Sequence, residues 1–95
     1  METERFDAAE YIKTPEAEEE LLRDAFESGN AEYVAHALGI VARARGMTTV
    51  AREAGVTREA LYRALSADGD PRLSTLFGVL KALHITIQPH RQAGC

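Results

Sequence analysis

The sequence predicts an all-α domain of five to six helices with one short strand near its C-terminus. Apolar residues recur at helical spacing over most of the 95 residues, and glycine or proline residues separate these stretches. The chain is 45% apolar and 27% charged, which is typical of a globular protein rather than a disordered one. A chain of this length has a modest core, so a partner chain would add useful burial.

The first 29 residues predict an acidic helical region. A short helix begins after Asp7, where Glu10 completes a capping box. A second helix follows Thr14, has Pro15 at its first position and ends at Gly29. Glutamates fill the first turn of this helix, where negative charge is favoured by the helix dipole.

Four further helices and a strand are predicted after residue 29. The third helix begins after Asn30 and ends at Gly46, and two short helices cover residues 48–54 and 57–65. A last helix spans about residues 73–83, and its predicted inward residues are Leu73, Leu76, Phe77, Leu80 and Leu83. The alternating segment 84–89 predicts the strand, which must pair with an N-terminal segment or with the same strand of a second subunit.

Residues 47–65 have the pattern of a helix-turn-helix. Ala51 is small enough to let the second helix approach, Gly55 suits a turn with positive φ, and Val56 fills the space between the helices. The inner face of the second helix is formed by Leu61, Ala64 and Leu65. We therefore interpret residues 30–90 as a helix-turn-helix DNA-binding domain that includes the strand, preceded by the acidic region 1–29 and followed by a tail, 91–95.

The side chains predicted to bind DNA lie on the outer face of this motif. The second helix of a helix-turn-helix enters the major groove, where arginine binds guanine O6 and N7 and glutamate accepts from cytosine N4. Hydroxyls and backbone N–H groups at the start of the first helix can hold a phosphate. The predicted DNA-binding residues are Thr48, Thr49, Arg52, Thr57, Arg58, Glu59, Tyr62 and Arg63.

Several of these residues also have an ordinary structural explanation. Glu59 and Arg63 stand four residues apart on one helix and can pair with each other. Thr48 and Thr57 can act as helix caps. Arg52 can be a solvated surface charge, as most exposed arginines are.

Charge is divided unevenly along the chain. Residues 1–38 contain eleven acidic and three basic side chains, for a net charge of −8, whereas residues 39–95 contain four acidic and eight basic ones, for +4. This asymmetry predicts two partners, one basic and one anionic, although two ordinary solvated faces would give the same division.

No pattern in the sequence predicts an enzyme. Neither a phosphate-binding glycine loop nor a metalloprotease or nucleophile-elbow motif is present, and the single cysteine, Cys95, excludes an internal disulfide. His84 and His90 have no acid or cysteine at ligand spacing, so we expect no metal site. Because the catalytic motifs are missing, we also expect no cofactor, catalytic residue or small-molecule substrate. The longest apolar stretch is too short to span a bilayer and the N-terminus is acidic, so we expect no membrane partner and a cytoplasmic protein.

Seven stretches of the chain carry a family resemblance. They are residues 6–7, 11–12, 37–47, 51–55, 58–66, 71 and 80–83, and the run from Leu61 to Ser66 is the most distinctive. These stretches resemble the addiction-module antidote proteins, which are HigA-like antitoxins of type II toxin–antitoxin modules. The sequence departs from the family at Thr49, where glutamine is common, and at His84, where glycine is common.

The resemblance implies a lambda-repressor-like helix-turn-helix fold in a homodimer. Such a dimer would bind double-stranded operator DNA of its own operon and neutralise a small basic toxin of the RelE/ParE type. We expect the acidic toxin surface to include Glu18, Glu19 and Glu20, because opposite charges speed association. We expect the dimer interface to include Leu83, Ile85 and Ile87, because an unpaired apolar strand would otherwise aggregate.

Two other functions fit the same residues. A stand-alone helix-turn-helix transcriptional regulator would have the same fold without a toxin partner. A protein-interaction module that has lost DNA binding would retain the helices, but Arg58 and Arg63 would then affect no DNA interaction.

Overall fold

The structure is a computed structural model that describes residues 14–91. This range contains five α-helices. They are α1, Pro15–Ser28; α2, Ala31–Arg45; α3, Met47–Ala54; α4, Arg58–Ala64; and α5, Leu73–Ala82. The prediction of an all-α protein is confirmed over this range. The helix predicted after Asp7 and the terminal Cys95 lie outside the described residues.

Helices α1 and α2 begin and end where the sequence predicts. The Thr14 hydroxyl accepts a hydrogen bond of 3.1 Å from the Ala17 N–H, which caps α1. Gly29 ends α1 in the left-handed conformation, with φ of 70°. Asn30 then accepts a hydrogen bond of 3.0 Å from the Tyr33 N–H and caps α2. These caps satisfy N–H groups that a helix start otherwise leaves without partners.

The hydrophobic core collects residues from all five helices around α2 and α3. Seven of the fifteen residues of α2 are buried, including Leu38 and Val41. The other helices contribute Leu22 and Ala25 from α1, Met47, Val50 and Ala51 from α3, Leu61 from α4, and Val79, Leu80 and Ala82 from α5. The acidic N-terminal helix therefore shares one core with the helices that follow.

Helices α3 and α5 approach each other closely at Gly78. A Cβ atom at this position would lie 2.9 Å from the Ala54 carbonyl oxygen, a distance that real side chains do not tolerate. Glycine at position 78 therefore lets α5 rest directly on the backbone of α3, and this packing fixes the orientation of both helices.

Helix α5 buries only part of the predicted face: Leu80 and Leu83 are buried and Leu76 is half-buried, as expected. Leu73 and Phe77 were expected to face inward, but they are 66% and 53% exposed. Val79 and Ala82, which were not among the predicted residues, are also buried, and Gly78 beside Val79 contacts α3. The prediction was wrong for Leu73 and Phe77, because it followed the largest apolar side chains, whereas the close contact with α3 forms at the smallest residue of the helix.

The predicted C-terminal strand is not confirmed, since residues 85–91 adopt no regular secondary structure. Helix α5 is closed by hydrogen bonds from the His84 N–H to Lys81 and from the Ile85 N–H to Leu80, with His84 in the left-handed conformation. A strand requires a paired backbone. No backbone hydrogen bond joins residues 86–91 to another residue of the described range.

Replacing His84 with glycine should stabilise the protein. His84 has a φ of 60°, a conformation that costs an L-residue about 1–2 kcal/mol but costs glycine nothing sterically. Because glycine loses more entropy on folding, we expect a net gain of about 0.5–1 kcal/mol in the free energy of unfolding. Urea denaturation measures this gain. The His84→Ala variant is the control and should show little change, and an equal gain in both variants would contradict a backbone origin.

Candidate nucleic-acid interface

Helices α3 and α4 are two short helices joined by the three residues Gly55–Thr57, and we call them together the α3–α4 unit. Gly55 takes the left-handed conformation, with φ of 79°, and the Val56 N–H donates a 3.0 Å hydrogen bond to the Ala51 carbonyl. Ala51 and Leu61 are buried between the helices, and Val56 is half-buried. These residues therefore occupy the positions that the sequence assigned to them.

All the residues predicted to bind DNA are exposed on the α3–α4 unit. Thr48, Thr49 and Arg52 lie on α3, Thr57 precedes α4, and the remaining four lie on α4, namely Arg58, Glu59, Tyr62 and Arg63. The unit therefore presents hydroxyl, phenol, carboxylate and guanidinium groups from two adjacent helices to one solvent-exposed region.

Arg58 is held against Tyr62 on the outer face of α4. The Arg58 guanidinium carbon lies 5.4 Å from the centre of the tyrosine ring, and its Nη2 atom donates a 3.4 Å hydrogen bond to the Tyr62 hydroxyl. Such a cation–π contact restricts the arginine without neutralising it. Glu59 and Arg63 form no ion pair within 4 Å in the described structure, so the alternative that they pair with each other is not supported.

The two threonines that begin the helices differ in their contacts. The Thr57 hydroxyl accepts a 3.0 Å hydrogen bond from the Ala60 N–H, so this residue caps α4. Thr48 does not cap α3, because the N-cap position is Gly46 and no side chain of the described chain bonds the start of that helix. The first N–H groups of α3 therefore lie beside the exposed hydroxyls of Thr48 and Thr49.

Helix α1 carries the acidic residues predicted to bind a basic partner. Glu19 and Glu20 are exposed, and both bond Arg23, at 2.8 and 3.0 Å. Glu18 is only 6% exposed, and its Oε1 atom accepts a 2.9 Å hydrogen bond from Arg45 at the end of α2. Its side chain points into the contact between α1 and α2 rather than into solvent, so Glu18 offers little surface to a partner, and the toxin surface stays a prediction.

A second polar contact joins α1 and α2. The Tyr33 hydroxyl donates a 2.6 Å hydrogen bond to the Asp24 carboxylate. This bond raises the pKa of Tyr33 above its usual value of 10, because deprotonation would lose the donor and place a second negative charge beside the carboxylate. Together with the bond between Glu18 and Arg45, it fixes α1 on α2 at two points.

Comparison with known proteins identifies the family. The family model described as "Probable addiction module antidote protein" matches residues 2–91. The chain belongs to this family of antidote proteins. A Haemophilus influenzae protein described as uncharacterized is 42% identical over 83 residues, which cover 87% of this chain and 86% of that protein. No solved structure matches the chain.

Membership of the antidote family confirms the resemblance seen in the sequence. An antidote acts against a toxin, so the family implies a toxin partner in general and suggests a regulatory role. No helix between residues 14 and 91 has the length and apolarity needed to cross a membrane.

The residues predicted for the antidote's dimer interface differ in exposure. Ile87 is 41% exposed and Ile85 is half-buried. Leu83 is only 1% exposed, since it belongs to the chain's own core beside Leu80. Leu83 therefore presents almost no surface to a second chain, and the predicted interface stays a prediction for which only Ile85 and Ile87 are accessible.

The sequence analysis missed two features of the antidote's surface. One is the exposed pair Leu73 and Phe77, whose size and helical spacing ordinarily indicate core residues. The other is a groove between α1 and the C-terminal segment, lined in part by Glu19, Phe26 and Ile87. About sixty residues separate its two sides in the sequence, so no local pattern signals the groove.

Glu18 should contribute to stability more than its neighbours do. In the Glu18→Gln variant the buried charge-assisted bond to Arg45 weakens, so we expect a loss of about 1–2 kcal/mol in the free energy of unfolding. The matched control is Glu20→Gln, whose bond to Arg23 is solvent-exposed and contributes less than about 0.5 kcal/mol. Urea denaturation followed by circular dichroism compares the two, and equal losses would contradict a structural role for Glu18.

Proposed function

We propose that this antidote is a DNA-binding homodimer that neutralises a small basic toxin of the RelE/ParE type and represses its own operon. The observation that carries the proposal is the α3–α4 unit, two short helices joined by a turn at Gly55, with exposed Arg58, Tyr62 and Arg63 on the second helix. Family membership supports the antitoxin part of the proposal.

In this proposal α4 is the recognition helix and enters the major groove of operator DNA. Arg58 lies at the first position of α4, where recognition helices contact base edges, and its packing on Tyr62 lowers the entropy lost on binding. Arg63 and Glu59 are the other candidates for base contacts. Because an arginine bonded to guanine O6 and N7 discriminates by about 1–3 kcal/mol, one or two such contacts suffice for modest selectivity.

The start of α3 is the proposed phosphate contact. Its N–H groups have no side-chain cap in the described structure, and the hydroxyls of Thr48 and Thr49 lie beside them. A phosphate at this point would bond these donors and interact with the positive end of the helix dipole. Arg52, one turn further along α3, adds a positive charge on the same helix.

A dimer is proposed because one helix-turn-helix reads few bases, whereas two half-sites about 34 Å apart multiply the specificity. We place the interface on Leu73 and Phe77, the exposed apolar pair of α5. If α5 packs antiparallel on its copy in the second chain, Leu73 of one chain meets Phe77 of the other.

Co-purification tests the antitoxin function. The full chain is expressed with the reading frame adjacent to its own, one of the two proteins is tagged, and the eluted proteins are identified. We expect a stoichiometric small basic protein. Binding to the promoter fragment without any partner would contradict the antitoxin function and favour a stand-alone regulator.

Arginine substitutions on α4 should weaken operator binding. We expect Arg58→Ala and Arg63→Ala each to lower the affinity for the chain's own promoter fragment about tenfold or more, because each loses a base or phosphate contact. Arg52→Ala should reduce the salt dependence of binding by about one counterion. Fluorescence anisotropy at several salt concentrations measures both effects.

The control for these substitutions is Arg23→Ala, which removes an exposed arginine from α1, outside the α3–α4 unit. The affinity of this variant for the promoter fragment should fall by less than about twofold, since only the long-range field of α1 changes. Equal losses from all the arginine variants would indicate a general charge effect and contradict recognition by α4.

A charged residue on the exposed face of α5 should break the dimer. We expect the double variant Leu73→Asp, Phe77→Asp to sediment as a monomer at micromolar concentration with an unchanged circular dichroism spectrum, since both side chains are exposed. Ile87→Asp is the comparison, and it should remain dimeric. Dissociation in Ile87→Asp alone would place the interface on the C-terminal segment instead, and a monomeric unsubstituted chain would contradict dimerisation.

A further inference from the structure

A groove of about 550 Å³ lies between α1 and the C-terminal segment, residues 85–90. Leu22, Phe26, Ile85 and Ile87 form its apolar part, and Glu19 and Glu27 stand at its rim. We propose that this groove binds an extended, basic segment of a partner protein, which adds to residues 86–88 as a β-strand. The proposal rests on the proposed function in one respect, since it takes the partner to be the toxin.

The backbone beside the groove is open to strand addition. Residues 86–91 make no backbone hydrogen bond to another residue of the described range. The segment is nevertheless held in place, because the Ile85 N–H bonds the Leu80 carbonyl at 2.9 Å. Strand addition requires an extended conformation of residues 85–88, and in that conformation the edge opposite to that of Ile85 belongs to Thr86 and Gln88, because alternate residues direct their N–H groups to opposite edges. An incoming strand would bond those two residues.

The side chains of the groove suit a strand with alternating character. Phe26 and Ile85 are half-buried and Ile87 is 41% exposed, so apolar surface is accessible on both walls. A strand directs every second side chain to one face, so its apolar side chains would contact this surface while its other side chains face the rim. Strand addition supplies affinity through the backbone and specificity through such alternate side chains.

The charge of α1 selects a basic occupant. This helix exposes five acidic side chains, Glu16, Glu19, Glu20, Asp24 and Glu27, against the single basic side chain of Arg23. Glu19, Glu27 and Arg23 line the groove itself, and Arg23 is paired with Glu19, so Glu27 and the acidic surface around the groove supply the negative charge. A basic strand would meet this charge of opposite sign, which favours both its association rate and its selection over other segments.

The same charges disfavour the two other occupants. A second copy of this chain at the groove would bring two acidic α1 helices together, and like charges across an interface are unfavourable. Residues 1–13 contain four acidic and two basic side chains, so this segment also has the same sign of charge as α1. The exposed apolar face of α5 remains separate and available for dimerisation.

Peptide binding to the full chain tests the groove. The probes are a fluorescent octapeptide of alternating lysine and valine and a matched octapeptide of alternating glutamate and valine. We expect the lysine peptide to bind at least about tenfold more tightly, and the double variant Glu19→Lys, Glu27→Lys to lose about that factor. Absent binding, or equal binding of the two peptides, would overturn the proposal.

A proline substitution tests strand addition. Gln88→Pro removes one N–H group while favouring an extended conformation for the preceding residue. We expect it to weaken binding of the lysine peptide about fivefold, whereas Gln88→Ala, which keeps the N–H group, should bind as before. Equal effects of the two substitutions would show that the backbone is not the contact.

The affinity of the same variants for the protein that co-purifies with the chain distinguishes a failure of the groove proposal from a failure of the antitoxin proposal. A basic partner whose affinity is unchanged in Glu19→Lys, Glu27→Lys would overturn the groove and leave the antitoxin function standing. The absence of any basic partner would overturn the antitoxin function, and the peptide titrations would still decide whether the groove takes a basic strand.

Two results would assign the groove to another occupant, either a second copy of the chain or its own first 13 residues. Dissociation of a dimer by Gln88→Pro in sedimentation would assign the groove to a second copy. Tighter peptide binding in the full-length variant Phe6→Ser, Tyr11→Ser would assign it to the chain's own first 13 residues. Either result would overturn a basic partner strand.

Discussion

The close packing of α5 on α3 is the contact on which the rest of the arrangement depends. Gly78 brings the two helices within reach of the Ala54 backbone, and α3 also packs on α2 and α4. Helix α3 is therefore held from three sides, although it has only eight residues and would be marginal alone. Because α5 turns its small residues toward α3, its larger residues Leu73 and Phe77 are left exposed. The contact between α5 and α3 thus positions the α3–α4 unit and leaves exposed the apolar pair proposed for dimerisation.

Local rules predicted the helix boundaries well, and long-range packing accounts for most of what they missed. Thr14, Asn30 and Thr57 cap helices as predicted, because a cap depends on a few neighbouring residues. The burial of Glu18 depends on Arg45, which is 27 residues away, and no local pattern reveals such a pair. The predicted strand has no described pairing partner, since alternation indicates an extended chain but does not supply its neighbour. The family commonly has glycine at the position of His84, and the structure gives a reason, because this residue adopts the left-handed conformation at the end of α5.

Acidic and basic side chains are most concentrated on different helices. Helix α1 exposes five acidic side chains and one arginine, whereas α3 and α4 together expose three arginines and two glutamates. Helix α2 separates these elements, and it is bonded to α1 near each end, through Tyr33 and Asp24 and through Arg45 and Glu18. These bonds make α1 a fixed part of the domain rather than a flexible acidic tail. A partner bound to α1 is therefore held at a defined position relative to the α3–α4 unit.

This separation has a consequence for how the two proposed partners act together. None of the residues that line the groove belongs to the set predicted to contact DNA, so the two partners do not compete for the same side chains. Binding at α1 by a basic protein would neutralise the most acidic part of the chain, and that part repels DNA through long-range electrostatics. If both proposals hold, a basic partner in the groove would favour DNA binding by the α3–α4 unit, because it would reduce this repulsion. By thermodynamic linkage, DNA bound to that unit then strengthens the binding of the partner by the same factor.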